Sequence, residues 1–312
     1  MSLISVPGIR GEKAFLEYVT GKRGGAVPTF RFEVKTVGAD TFQLPIYNGG
    51  SYDFIAKWGD GNSDTITAWD DAAANHSYSG AGTYDVEITG TITGWRFANA
   101  GDKTLIYDIS EWGPLNLGNN NSYFYGCSNL TISATDILDL TNTTTFELIF
   151  ASCTSLTTIP SINSWDVSNI TSLSNAFFQV PFNDDLSGWT TTSMTNIGNA
   201  FHTTANFNQD ISGWDTSSVT TMEGTFVSST TFDQDIGSWD ISSMTVASNM
   251  FNGVTLSTAN YDALLIGWEG GAHQDNVTFS GGNSKYSAGA AATARAALDP
   301  GDGWTITDGG QE

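Results

Sequence analysis

The residues with the plainest capacity for chemistry are aspartates that recur at fixed distances from a tryptophan. Asp185, Asp210 and Asp235 stand four positions before Trp189, Trp214 and Trp239, and Asp166, Asp215 and Asp240 stand one after Trp165, Trp214 and Trp239. Carboxylates in register can take hydrogen bonds from a bound glycan or protein, share a cation, or act as a glycosidase-like pair. They can also close Asx turns on their own backbone, and "WDTSS" and "WDISS" place hydroxyls one to three residues on. Stacked like charges about 5 Å apart repel, so either those turn bonds or a ladder of cations must offset them. These six aspartates, as a polar ladder, are the candidate binding residues.

A second group of acids, Asp60, Asp64, Asp70 and Asp71, crowds near the turn "WGDG". Carboxylates with carbonyls are what calcium takes; turn-forming aspartates are the alternative, and no EF-hand spacing is present. The three histidines, His76, His202 and His273, lie in no nucleophile motif, and neither G-x-S-x-G, H-E-x-x-H nor a Gly-rich phosphate loop occurs. Acid pairs alone are what chance supplies in so acidic a chain. The expectation is a protein that is not an enzyme and holds no cofactor, calcium being the one open alternative. Cys127 and Cys153 each follow a repeat phenylalanine by three. Stacked one rung apart, they are either reduced buried thiols or a short-loop disulfide, and neither motif has metal-ligand spacing.

What must position the aspartates is a repeat. "NSWDVSNITSLSNAFF", "SGWTTTSMTNIGNAFH", "SGWDTSSVTTMEGTFV" and "GSWDISSMTVASNMFN" put a phenylalanine twelve residues after each tryptophan, and Trp112 with Phe124 and Leu138 with Phe150 keep the same offset. Six units of about 25 residues therefore run from roughly 109 to 256. Three further apolar columns accompany them. Ile109, Ile162, Leu186, Ile211 and Ile236 precede the tryptophan by three; Leu117, Ile170, Met194, Val219 and Met244 follow it by five; Leu130, Leu156, Phe207 and Phe232 follow the phenylalanine by six. A unit too small to bury its own apolar side must stack on its neighbours, and each such side chain buried is worth about 1.5–3 kcal/mol. The aromatics are read as core rather than as sugar platforms.

Charge excludes some partners. Eleven basic residues against thirty-three acidic give −22, and between Thr104 and Ser284 there is neither Lys nor Arg. Phosphate neutralisation needs cations along the binding surface, so nucleic acid and anionic membranes are excluded for the repeat region. Six of the eleven basic residues lie in the first 35 positions, where an arm over residues 1–28, with a short helix from Glu12 to Val19, could meet an acidic partner. No stretch reads as a signal peptide or reaches membrane-spanning length, so a chain made and kept in a cytoplasm, without membrane insertion, is expected.

Before the repeats, "FRFEVKTV", "TFQLPIY", "YDFIAKW" and "TYDVEITGTI" alternate with period 2 between Gly-rich turns, which reads as a small antiparallel sandwich. "WGDG" at 58–61 with "HSYSGAGTYDVEITG" at 76–90 resembles the PKD-type (polycystic-kidney-disease) domain, which implies a non-catalytic spacer or adhesion module. "FNQDISGWDTSSVTTMEGTF", "FDQDIGSWDISSMTVASNMF" and "FYGCSNLT" resemble the BspA-like leucine-rich-repeat proteins of bacterial and phage surfaces. After the repeats, Tyr261, Leu264, Leu265 and Trp268 offer one helical face, and "AGAAATARAAL" a second helix stopped by Asp299-Pro300-Gly301.

The expectation is thus a mainly β chain: an arm over 1–28, a PKD-like β-sandwich over 29–98, a leucine-rich-repeat-type solenoid over 99–256 and a helical cap over 257–312. The resemblance implies display rather than reaction. In the first reading this is a fibre or decoration protein of a tailed-phage virion, anchored to other virion proteins by the arm and binding a host surface protein or glycan. The alternatives are a bacterial cell-surface adhesin and a spacer without ligand. By analogy with phage fibres the chain is a candidate homo-oligomer.

Overall fold

Alternation of apolar and polar side chains sets the first third of the chain. The computed structural model describes residues 27–312. The arm over 1–28, with its expected helix, lies outside them apart from Val27 and Pro28. β1 (Phe30–Thr36) buries Phe30, Phe32, Val34 and Thr36, and β3 (Ser51–Lys57) buries Tyr52, Phe54 and Ala56, the period of a sheet with one covered face. Between and after them run β2 (Asp40–Gln43), β4 (Ser63–Ile66), β5 (Asn75–Tyr78) and the long β6 (Gly82–Thr93). β6 is the spine, antiparallel to β1 from Phe30↔Ile88 to Thr36↔Gly82 and to β3 from Ser51↔Thr93 to Lys57↔Glu87.

The separate sandwich followed by a leucine-rich-repeat solenoid is not what forms. β7 (Ile106–Glu111), β8 (Leu115–Asn116) and β9 (Thr131–Ile132), which belong to the first repeat units, join the same sheet as β1, β3, β4 and β6. The result is one mixed seven-stranded sheet in the order β4-β3-β6-β1-β7-β9, with β8 beside β6. β7 lies antiparallel to β1, while β9 and β8 lie parallel to β7 and β6. Of the strands up to β9, β2 and β5 stand apart, as an antiparallel pair.

Beyond β9 the repeats make no continuous sheet. Neighbouring turns meet through isolated parallel bridges, Thr145↔Ser172, Ser172↔Asn196, Asn196↔Thr221 and Thr221↔Val246. The reason is local. Three residues after each bridge the backbone turns left-handed, at Leu148, Asn175, Asn199, Gly224 and Asn249, and again four residues later at Ser152, Gln179, Thr203, Ser228 and Gly253. A strand cannot run through a residue in the left-handed helical region. Each turn is instead held by the next: the N–H of Phe150, Phe177, Phe201 and Phe226 donates to the carbonyl of Ala176, Ala200, Thr225 and Met250 at 2.9–3.0 Å.

The rings between those left-handed residues form the interior. Phe124, Phe150, Phe177, Phe201, Phe226 and Phe251 follow one another at centroid distances of 5.3–6.2 Å, and Trp189, Trp214 and Trp239 lie at 6.0 and 6.5 Å within 8° of parallel. All are buried, and one apolar cluster runs without a break from Phe30 to Ile306. Offset stacks of this kind add about 0.5–1.5 kcal/mol per pair beyond area burial.

At the far end, α1 (Thr258–Gly270) buries Tyr261, Leu264, Leu265 and Trp268, and Ser257 caps it by accepting from the Asn260 N–H. The short α2 (Ala290–Ala296) follows. A cap made only of helices is corrected as well: β10 (Thr278–Ser280) and β11 (Thr305–Thr307) pair in parallel between and after them, and Ala247↔Phe279 bridges the last repeat turn to β10.

Candidate functional site

The six sequence-singled aspartates are all turn-formers. One oxygen of Asp166, Asp185, Asp210, Asp215, Asp235 and Asp240 accepts the N–H two residues on, from Ser168, Ser187, Ser212, Ser217, Gly237 and Ser242, at 2.8–3.1 Å. Asp166 and Asp215 take the serine hydroxyl too, at 2.6 Å. Serine hydrogen bonds hold the carboxyls of Asp166, Asp210, Asp215 and Asp240 below the usual carboxylate range. At Asp240 the charge of Asp215 works the other way, so these two sense one another across turns. Asp185 additionally accepts from the Asn163 amide at 2.7 Å.

The second oxygen is what the turns leave over. Among the described residues, Oδ2 of Asp166, Asp210, Asp215, Asp235 and Asp240 accepts no hydrogen bond, whereas Oδ1 is fixed. Each carboxylate is thereby oriented with one acceptor spent and one to spare. Among the described residues no three or more His, Cys, Asp or Glu side chains are grouped to hold a metal ion.

Two further ladders run beside them that sequence reasoning missed. The Thr171, Thr195, Thr220 and Thr245 hydroxyls donate to the carbonyls of Thr144, Thr171, Thr195 and Thr220, one turn back, at 3.0–3.2 Å. In the other, the Asn208 N–H donates to the Asn183 side chain, the Asp233 N–H to that of Asn208, and the Ser257 N–H to that of Asp233, at 2.8–2.9 Å. The signals were present: a threonine follows Ile170, Met194, Val219 and Met244, and an Asn or Asp follows Phe182, Phe207 and Phe232.

Three of the acids near "WGDG", Asp60, Asp64 and Asp71, hold local structure. Asp64 accepts the Trp58 indole N–H at 2.8 Å, and Asp71 accepts the Ala73 N–H at 3.0 Å. Burial works to raise the Asp60 carboxyl, but the Asn62 N–H and His76 outweigh it and hold it down to about 2.

His76 stacks on Trp58 at 4.7 Å and bonds Asp60 at 2.9 Å. His202 pairs with Asn199 and His273 with Asp302, each at 3.1 Å. Each imidazole is thus matched to an amide or a carboxylate rather than to a serine or cysteine. Cys127 and Cys153 are buried free thiols, and Cys153 Sγ donates to the Phe124 carbonyl at 3.1 Å. Burial pushes both thiols up, the direction of an inert sulfur. Among the described residues no helix is long and apolar enough to cross a membrane.

Residues 144–264 match the family described as "Mycoplasma protein of unknown function, DUF285", a domain related to the BspA-like surface proteins. The match begins after β9 and takes in the five turns joined by those four bridges and the first half of α1. No curated protein and no solved structure matches the chain.

Proposed function

We propose that the chain is a non-catalytic adhesion protein that offers the outer face of its repeat turns to a glycan or protein at a bacterial surface. The observation that carries the reading is the row of half-committed carboxylates: Asp166, Asp210, Asp215, Asp235 and Asp240 are each pinned through Oδ1 and keep Oδ2 available. Acceptors already fixed in place lose little freedom on binding, and donors spaced along a sugar chain or an extended peptide could engage several at once. The relation of residues 144–264 to BspA-like surface proteins supports the same reading.

The test is binding of the full chain to a glycan panel and to bacterial cells, beside a variant carrying Asp210→Ala, Asp215→Ala, Asp235→Ala and Asp240→Ala. Binding by the parent that the variant loses supports the proposal. A parent that binds nothing leaves only the spacer role and overturns it, and so does binding the variant retains. The same face would serve a fibre or decoration protein of a tailed phage, with residues 1–28 anchoring it to other virion proteins. Mass spectrometry of purified particles against cell envelopes separates the two locations.

A further inference from the structure

A hollow of about 190 Å³ opens where the chain leaves β6 for the first repeat turns; Pro45, Ile46 and Phe97 form its apolar side, and Arg96, Gly101 and Asp102 its polar one. The Arg96 N–H donates to the Pro45 carbonyl at 2.7 Å and ties the two walls together. Its guanidinium is already aimed. Nε donates to the Asn121 carbonyl at 3.2 Å and Nη2 to the Asn121 side chain at 3.3 Å. Both partners are neutral, and among the described residues Nη1 meets no acceptor. Nη2 carries a second hydrogen, so the Nη1–Nη2 edge stays open.

An arginine in this state is out of keeping with the rest of the chain. Thirty-three acidic residues stand against eleven basic, and Arg31, Lys35, Lys57 and Arg295 each hold a carboxylate at 2.8–3.4 Å. Arg96 is half-buried and among the described residues holds none. A guanidinium drawn partly out of water without a counter-charge is costly, and a carboxylate set against its open edge offsets that cost with two parallel bonds. Two more donors stand beside it. The N–H groups of Gly101 and Asp102, which line the hollow, meet no acceptor among the described residues, and Gly101 is left-handed at φ 56°, the kind of turn in which consecutive amides gather an anion. Asp102 sets the limit: its Oδ2 accepts the Gln43 N–H at 2.7 Å, yet its charge stays in the lining and disfavours a dianion such as phosphate. The net charge of −22 acts from farther off, and physiological salt screens it beyond about 8 Å, so the local cation decides. At about 190 Å³ the hollow falls below the roughly 300–1,000 Å³ of pockets for drug-sized ligands. It has room for one sugar ring, whose C–H face Pro45 and Ile46 can take.

We propose that this hollow binds the carboxylate of an acidic sugar, with Arg96 as its anchor. The proposal rests on the glycan form of the function given above but uses none of its aspartates, so the two can fail separately. The experiment is titration calorimetry on the full chain with glucuronate and N-acetylneuraminate, beside glucose, acetate and inorganic phosphate. At least one of the acidic sugars is expected to bind more tightly than the other three probes. Arg96→Gln should weaken that binding by at least about tenfold, the fold-change of a lost charge-assisted hydrogen bond. Ala100→Glu, which sets a carboxylate of the chain itself at an exposed position in the lining beside Arg96, should weaken it likewise. Binding by neither acidic sugar overturns the proposal, and so do acetate or phosphate binding as tightly, or an Arg96→Gln variant that binds as the parent does. If Arg96→Gln loses its near-ultraviolet circular dichroism, Ala100→Glu decides, and undiminished binding there overturns the proposal. The four-aspartate variant should bind the acidic sugar as the parent does. Cell binding that this variant retains, beside acidic-sugar binding that Arg96→Gln loses, would sink the aspartate row and leave the Arg96 site standing.

Discussion

The indole N–H of Trp268, on a helix, donates to the carbonyl of Ile236 at 3.3 Å, the position that the preceding turns assign to their own tryptophans. Trp189 donates to Ile162, Trp214 to Leu186 and Trp239 to Ile211, at 2.8–3.2 Å. Each acceptor stands three residues before the tryptophan of the turn beneath. α1 therefore supplies the indole of a further rung although its backbone is helical, and the stack passes into the cap without an exposed ring.

Replacing one of these indoles with phenyl should separate the hydrogen bond from the burial. Trp214→Phe or Trp239→Phe keeps an aromatic ring but removes one of the two hydrogen bonds to a carbonyl that a backbone N–H still pairs, a loss of about 0.5–1.5 kcal/mol. Trp112 is as deeply buried, yet its Nε1 finds no protein partner. Trp112→Phe should therefore cost less than either, by at least about 0.5 kcal/mol. Urea denaturation of the three variants checks the ranking; equal costs would show that ring volume alone decides.

The phenylalanine ladder should be the least forgiving part of the chain. Phe226 meets Phe232 at 3.9 Å, Phe251 at 5.3 Å and Phe201 at 5.7 Å, so truncation opens a cavity with rings on several sides. Phe226→Ala is expected to cost about 3–5 kcal/mol. The thermal midpoint reports it, and a change comparable to an exposed-site substitution such as Ser228→Ala would contradict the packing described.

How much of this was legible follows from what imposes spacing. Burial does: the twelve-residue step from tryptophan to phenylalanine exists because both rings must enter the same interior on every turn, and it could be read directly. The turn role of the aspartates was legible too, since a serine stands two residues after five of the six. The backbone between was not. Leu148 has a positive φ with nothing in its side chain to announce it, and Asn175, Asn199 and Asn249 are left-handed in a chain where asparagine also closes Asx turns, so one residue type had two explanations. The fused sheet was equally hidden. It depends on Ile109 pairing with Phe32, a contact that no local period encodes.

Acid should weaken the fold through carboxyls that are held down in the native state. Asp60 sits at about 2, and hydrogen bonds from Ser168, Ser212, Ser217 and Ser242 keep Asp166, Asp210, Asp215 and Asp240 low. The unfolded chain binds these protons first, so their stabilisation is complete above the ordinary carboxylate range and disappears as pH falls through the depressed native values. For Asp60 the window runs from about 4 down to about 2. Denaturation at a series of pH values should show Asp60→Asn flattening the decline in that window; a curve parallel to the parent's would remove Asp60 from the account.

The docking of α1 on the last turn makes one substitution act against its usual sign. Gly267 lies on α1 where a β-carbon would stand 2.1 Å from the carbonyl oxygen of Gly237, and a β-carbon on Gly237 would stand 2.4 Å from the carbonyl oxygen of Ala263. Two backbones thus meet with no side chain between them. In an isolated helix Gly→Ala gains about 0.8–1 kcal/mol, whereas here the added methyl must push α1 away from Gly237, straining the Trp268–Ile236 bond. Overpacking of this kind costs about 1–3 kcal/mol, so Gly267→Ala should destabilise the chain while Gly270→Ala, with open space around it, should not. Hydrogen exchange along α1 gives the local readout: faster exchange at Leu264, Leu265 and Trp268 is expected in the first variant, and protection unchanged from the parent would mean that the helix does not rest on Gly237.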